Sequence, residues 1–183
     1  MARDRRGGAA EEPPFHRRRG VDGSAPRRSP AGRRDRLRAP LVALICDTGP
    51  LYAVLDRADA DHRICAELLS GSEDRLVVPA PVIVELDWLS GNRLGPEPFA
   101  AFLADVEDGA ISVVDLVRPD YQRVGELLAR YSDLRLGFVD AAIVAVVERL
   151  GEQKLATLDR RHFGMIRPST SKRWTCFVPD RPG

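Results

Sequence analysis

An uninterrupted apolar run spans residues 41–46 and stops at Asp47. A strand with only one covered face alternates apolar and polar side chains, so an unbroken run predicts a strand that is covered on both faces. Strands of this kind belong to parallel sheets, whose crossover connections are usually helices. The run therefore indicates an α/β fold, and it places a carboxylate directly at the end of a buried strand.

The chain beyond this run continues to alternate strands with segments of helical periodicity, separated by Gly and Pro. Residues 160–173 are predicted to form a basic loop. This alternation predicts a three-layer α/β/α sandwich with a central, mainly parallel sheet of four or five strands. The predicted strands are 41–46, 76–78, 111–114, 154–158 and 174–178, and the predicted helices are 51–56, 61–69, 80–93, 97–107, 118–131 and 137–150.

The first forty residues differ in composition from the rest of the chain. They contain twelve Arg, five Gly and five Pro, and their net charge is +7, whereas residues 41–183 carry −6. A segment with so few apolar residues cannot offset the entropy lost on ordering, so we predict that residues 1–40 are a disordered extension and that residues 41–183 form one domain. The extension has two interpretations: a tail that attracts RNA, or an addition that results from a wrongly assigned start.

Composition also excludes several classes of protein. The longest apolar runs are far shorter than the roughly 18 residues of a membrane-spanning helix, and the Arg-rich start lacks the apolar stretch of a secretory signal. The three cysteines are widely spaced and odd in number, which indicates neither a disulfide framework nor a thiolate metal site. We therefore predict a cytoplasmic protein that does not associate with membranes.

Four acidic residues stand where they are expected to meet. Asp47 and Asp159 each end a predicted strand, and sites in parallel α/β folds form beyond the carboxyl ends of the strands. Glu85 lies on the apolar stripe of helix 80–93, where a carboxylate needs a partner. Asp140 lies in the first turn of an almost entirely apolar helix. Each acid alone also has a structural explanation, as an N-cap, a partner of the helix dipole or a turn residue.

The apolar segments around these acids contain no Lys or Arg that could neutralise them. Carboxylates that converge without a basic partner repel one another. A hard divalent cation relieves this repulsion, and oxygen ligands suit Mg²⁺ or Mn²⁺. Such an ion lowers the pKa of bound water and neutralises phosphate charge, so the pattern indicates hydrolysis of a phosphodiester.

A family resemblance is carried by four short segments: Leu44–Leu51, Val82–Leu86, Leu136–Ala141 and Thr157–Phe163. They resemble, in order, the four acidic motifs of PIN-domain nucleases, and most closely those of the VapC-type toxins of bacterial toxin–antitoxin modules. The resemblance covers about residues 43–178, although family members often have Ser-Ala where this chain has Gly49 and Pro50.

The resemblance implies a PIN-like fold and an endoribonuclease that depends on Mg²⁺ or Mn²⁺ and cleaves single-stranded regions of RNA. It also implies a homodimer and inhibition by a VapB-like antitoxin. Asp47, Glu85 and Asp140 would hold the metal directly or through water, and Asp159 would complete the catalytic site. Thr48 would support the site by a hydrogen bond to a carboxylate or to a metal-bound water, although helix N-capping is an equally open interpretation.

The segment after Asp159 supplies the candidates for substrate binding. Arg160 and Arg161 are placed to contact RNA phosphates, and a solvated charged loop is the alternative. His162 is expected to face solvent or to cap a helix rather than to act as a general acid, and Trp174 is expected to join the core. Two other functions stay open: an RNA-maturation nuclease of the same family without an antitoxin, and a catalytically silent module that binds a metal or a partner.

Overall fold

The described part of the chain contains a complete α/β unit in the computed structural model. The predictions for residues 1–40 lie outside the described residues. The described residues are 42–167, 169, 174–176 and 178.

Five strands and seven α-helices alternate along the described residues, with one short 3₁₀ turn at Ser132–Leu134. The strands are β1 (Ala43–Cys46), β2 (Arg75–Pro79), β3 (Ile111–Val114), β4 (Lys154–Ala156) and β5 (Thr175–Cys176). The helices are α1 (Thr48–Leu55), α2 (His62–Gly71), α3 (Ala80–Arg93), α4 (Pro96–Glu107), α5 (Arg118–Arg130), α6 (Phe138–Leu150) and α7 (Arg160–Met165).

The sheet is parallel throughout, with the strand order β3-β2-β1-β4-β5. All four residues of the central strand β1 are buried, which confirms the strand predicted from the apolar run. The chain proceeds from β1 to one side of the sheet and then returns to add β4 on the other side. This reversal creates a switch point between the carboxyl ends of β1 and β4, and Asp47 there donates its N–H to the carbonyl of Ala156 at 3.0 Å.

Helices cover both faces of this sheet, and α6 has the longest run of consecutive buried residues among those in the described residues. Seven consecutive residues of α6, 141–147, are buried, as its almost entirely apolar sequence predicts. Two ion pairs join α6 to α5: Arg123 with Glu148 at 2.7 Å, and Arg149 with Asp120 at 2.9 Å. Asp140 therefore begins a helix that the core holds rigidly in place.

Several boundaries differ from the sequence prediction by one to three residues, among them those of α1, β4 and β5. Helix α1 begins at Thr48 rather than at residue 51, because the Asp47 side chain caps it and Pro50 is tolerated in a first turn. Strand β4 ends at Ala156 instead of residue 158, since Thr157 turns its side chain toward Asp47. Within the described residues, β5 is shorter than the predicted strand at 174–178.

The predicted loop at 160–173 was wrong in its first part, because residues 160–165 form helix α7. Asp159 caps this helix by accepting the N–H of His162 at 2.9 Å. Phe163 anchors it in the core, where its ring meets the edge of Trp174 at a centroid distance of 6.4 Å. Trp174 is partly buried against the core, as predicted. The basic residues of this segment suggested a loop, but the cap at Asp159 and the buried ring of Phe163 stabilise a helix there.

No described helix has both the length and the apolar character needed to span a bilayer.

Candidate active site

Asp47 lies at the end of β1 and serves as the N-cap of α1. The residue is 7% exposed, and each of its two carboxylate oxygens accepts a hydrogen bond. Oδ1 accepts the backbone N–H of Thr48 at 2.7 Å, and Oδ2 accepts the hydroxyl of Thr157 at 2.6 Å. These two bonds fix the carboxylate at the switch point.

The pKa of Asp47 is raised from 3.8 to about 6, mainly because burial disfavours the charged form. The hydrogen bonds from Thr157 and Thr48 lower this pKa, whereas the negative charges of Asp140 and Glu85 raise it further. Since Asp140 and Glu85 act on Asp47 electrostatically, the fold has brought together acids that are far apart in the sequence.

Glu85 projects from α3, where it is half-buried beside the fully buried Val82 and Leu86. One of its oxygens accepts the hydroxyl of Thr48 at 2.5 Å. Of the two interpretations of Thr48, the hydrogen bond to a carboxylate is therefore the one that the structure shows. The N-cap of α1 is Asp47 instead.

Asp140 occupies the first turn of α6, and its Oδ2 accepts the N–H of Gly137 at 3.4 Å. The pKa of Asp140 is raised, first by burial and then by the charges of Asp159 and Glu85, although Gly137 and His162 act in the opposite direction. The helix-terminal position and the membership of an acidic site, which the sequence left as alternatives, both hold for this residue.

Asp159 lies just after β4 and faces Asp140 across a histidine. Its backbone N–H donates to the hydroxyl of Thr157 at 2.9 Å. The ring Nδ1 of His162 is 3.0 Å from Asp159 Oδ2 and 3.3 Å from Asp140 Oδ2. The prediction that His162 faces solvent or caps a helix was wrong, because Asp159 caps α7 and the ring of His162 faces the acids.

Thr157 is the site residue that the sequence analysis missed. Its hydroxyl donates to Asp47 and accepts from the backbone of Asp159, so it links the two strand-end acids. Thr157 is buried in the structure, but in the sequence it only continues an apolar run, which gives no signal of this role.

We use "acidic cluster" for Asp47, Glu85, Asp140 and Asp159. Among the described residues, no Lys or Arg forms an ion pair with the acidic cluster, and the ring that contacts two of its members is that of His162. No three His, Cys, Asp or Glu side chains of the described residues stand in a finished metal-binding arrangement. The four acids are thus neighbours that repel one another without forming a preassembled ligand cage.

The two substrate-binding candidates lie in the first turn of α7, immediately after Asp159. Both arginines are exposed. The guanidinium of Arg160 donates to the carbonyl of Val178 at 2.6 Å, so it is tied to the segment that follows β5. Arg161 extends into solvent beside it. Position alone therefore favours Arg161 over Arg160 for contact with a substrate.

The parallel sandwich, with four carboxylates at its switch point, defines an α/β protein of the acidic-site nuclease class. The family model of the PIN domain matches residues 44–166. The chain is 35% identical over 132 residues to "Ribonuclease VapC26" of Mycobacterium tuberculosis (strain ATCC 25618 / H37Rv), an alignment that covers 72% of this chain and 98% of that protein. This chain therefore belongs to the PIN domain family and is a ribonuclease of the VapC type.

A solved structure supports the fold. The crystal structure of Mycobacterium tuberculosis VapC20, a sarcin–ricin loop cleaving toxin, superposes with a TM-score of 0.61 at 22% sequence identity, covering 64% of this chain and 91% of that one. The family, the α/β fold and the ribonuclease activity predicted from the four motifs are thereby confirmed.

Proposed function

We propose that this ribonuclease depends on Mg²⁺ or Mn²⁺, cleaves single-stranded regions of RNA internally, and acts as the toxin of a pair with a VapB-like antitoxin. The observation that carries the proposal is the acidic cluster, in which four carboxylates from four elements meet without a Lys or Arg partner in the described residues. Asp47, Glu85 and Asp140 are the proposed ligands, direct or through water, and Asp159 completes the site.

The donor chemistry of the acidic cluster fits a hard divalent cation. Burial and mutual repulsion raise the pKa of Asp47 to about 6, and a bound cation would reverse this effect by favouring the ionised carboxylates. Carboxylate oxygens are the ligands preferred by Mg²⁺ and Mn²⁺. When bound, the ion would supply a water of lowered pKa and neutralise charge on the scissile phosphate.

The protein's own residues orient the ligands. Thr157 holds Asp47 at the end of β1, and Thr48 holds Glu85 against it, each through a short hydrogen bond. Neither carboxylate needs to search among rotamers, which lowers the entropic cost of binding a cation and a phosphate together. Arg161, exposed beside the acidic cluster, is the proposed contact for a flanking RNA phosphate.

The proposal is tested with the full chain, purified free of any antitoxin and incubated with a mixed pool of structured and single-stranded RNAs. Cleavage is expected in Mn²⁺ or Mg²⁺, complete loss is expected in EDTA, and recovery is expected when the metal is restored. The cleaved ends are mapped to identify the target. Calorimetry with Mn²⁺ alone measures metal binding in parallel.

Two results would contradict the proposal. Cleavage that persists undiminished in EDTA would exclude metal dependence. Metal binding without cleavage of any RNA in the pool would favour the silent binding module. The RNA-maturation alternative makes a separate prediction. Under it, expression of the protein in cells would not be toxic, and cells would grow without an antitoxin.

We also propose that residues 41–183 form the nuclease domain and that this domain dimerises. The family model begins at residue 44 and β1 at residue 43, which supports the domain boundary. The dimer is supported by two apolar residues of α3, Val84 and Trp88, which are 72% and 67% exposed. Large apolar side chains with such exposure are common at interfaces between subunits. Residues 41–183 alone are expected to cleave RNA as the full chain does and to have twice the monomer mass by light scattering. A monomeric fragment would exclude dimerisation, and an inactive fragment would exclude residues 41–183 as the nuclease domain.

A further inference from the structure

We propose that His162 is a positioning residue that orients Asp159 and Asp140 for metal binding through its ring Nδ1. The inference rests on the proposed function, because it assigns a role toward the same metal site. His162 lies on α7, whereas Asp140 belongs to α6, so the ring connects two helices that meet at the acidic cluster.

Asp159 is held by two groups of His162. The backbone N–H of His162 donates to Oδ1 at 2.9 Å, and the ring Nδ1 is 3.0 Å from Oδ2. Both oxygens of one carboxylate thus face one residue, which limits the orientations that the carboxylate can adopt. The same ring nitrogen is 3.3 Å from Asp140 Oδ2, so the position of Asp140 depends on the orientation of this ring as well.

The ring nitrogen contacts two acceptors but is not aligned with either. Nδ1 is buried and forms no hydrogen bond of good geometry within the described residues, so its contacts to Asp159 and Asp140 are shared and weakly directional. A ring that carries its hydrogen on Nδ1 can favour both carboxylates without saturating their lone pairs. Those lone pairs are what a cation requires.

Another acid in the same protein shows the contrasting arrangement. The guanidinium Nε of Arg149 contacts both oxygens of Asp120, at 3.0 and 2.9 Å, and this pair fastens α5 to α6. An arginine in the place of His162 would occupy the carboxylates in this way and compete with a metal. Histidine offers a single compact nitrogen, and it brings two acids together while leaving them available.

Three substitutions separate this role from a merely structural one. In His162→Asn the amide nitrogen takes approximately the place of Nδ1, in His162→Gln it is moved toward the place of the other ring nitrogen, and in His162→Phe the ring keeps its size without a nitrogen. Loss of a group that orients metal ligands typically costs 10- to 100-fold in metal affinity. We expect the Phe and Gln variants to bind Mn²⁺ at least about ten-fold more weakly.

His162→Asn is expected to retain Mn²⁺ affinity within about three-fold, because it keeps the donor facing both carboxylates. Affinity is measured by calorimetry on the full chain without RNA. At saturating Mn²⁺ the KM for RNA is expected to be unchanged. His62→Asn is the matched control, since the His62 ring contacts the carbonyl of Ala53 and none of the four acids. Melting curves in EDTA establish that each variant folds.

Several outcomes would overturn the inference. Wild-type Mn²⁺ affinity in His162→Phe would do so. An Asn variant that binds Mn²⁺ as weakly as the Gln variant would also do so. If the Phe variant does not fold, the comparison of the Asn and Gln variants is the deciding test. Nitrogen coupling to bound Mn²⁺ in pulsed electron paramagnetic resonance would show that the ring is itself a ligand. Asp47→Asn distinguishes a failure of this inference from a failure of the proposed function. If this variant also binds Mn²⁺ with wild-type affinity, the proposed metal site itself is wrong.

Discussion

Replacing Asp140 by Asn is expected to lower kcat for RNA cleavage by about 10⁴-fold, the scale of loss when one member of a catalytic unit is removed. The amide keeps the size of the side chain and can still accept the N–H of Gly137, so α6 keeps its first turn. It lacks the negative charge that a divalent cation requires. Folding is therefore expected to survive while catalysis does not.

The control for this substitution is Asp133→Asn, which makes the same change of charge at an exposed residue of the 3₁₀ turn before α6. Initial rates at saturating RNA and Mn²⁺ are compared for both variants and the wild type, with circular dichroism to verify folding. Asp133→Asn is expected to cleave at the wild-type rate. An Asp140→Asn enzyme with substantial kcat would remove Asp140 from the catalytic site.

Asp47→Asn is expected to stabilise the metal-free protein while it abolishes cleavage. The folded-state pKa of Asp47 is about 6, above the ordinary value of 3.8, so ionisation costs the folded state more than the unfolded state. The wild type therefore loses stability as the pH rises from about 4 to about 6. The shift corresponds to an upper limit of about 3 kcal/mol, which the neutral amide avoids while it still caps α1.

Urea unfolding in EDTA between pH 4 and pH 8 measures this difference. The variant is expected to exceed the wild type most above pH 6, and the two free energies of unfolding are expected to converge near pH 4. Saturating Mn²⁺ should reduce or reverse the advantage, because the cation stabilises only the protein that binds it. A variant that is less stable than the wild type at pH 8 in EDTA would contradict the electrostatic argument.

The parts of the site that the sequence could predict are those that depend on periodicity. The apolar run before Asp47 identifies a central strand, and the helical stripe around Glu85 identifies a half-buried acid; both placements are found in the structure. Parallel strands bring their carboxyl ends to one edge, which also accounts for Asp159. These inferences need no knowledge of how distant side chains pack.

The contacts between elements could not be predicted in the same way. Thr157 continues an apolar run and reads as part of a strand, so nothing in the local pattern shows that its hydroxyl faces Asp47, 110 residues earlier. His162 stands among basic residues that suggest a solvated loop, whereas its ring orientation depends on the packing of Phe163 and on a partner in α6. Such hydrogen bonds are products of tertiary packing.

The wide spacing of the acidic cluster along the chain also bears on how this protein is made. Asp47 is synthesised early, but the Thr157 that orients it and the adjacent Asp159 emerge more than a hundred residues later, when β4 joins the centre of the sheet. A growing chain therefore lacks the complete acidic cluster until β4 and Asp159 have been synthesised and have folded against β1. We therefore expect chains that terminate before Thr157 to be inactive as nucleases.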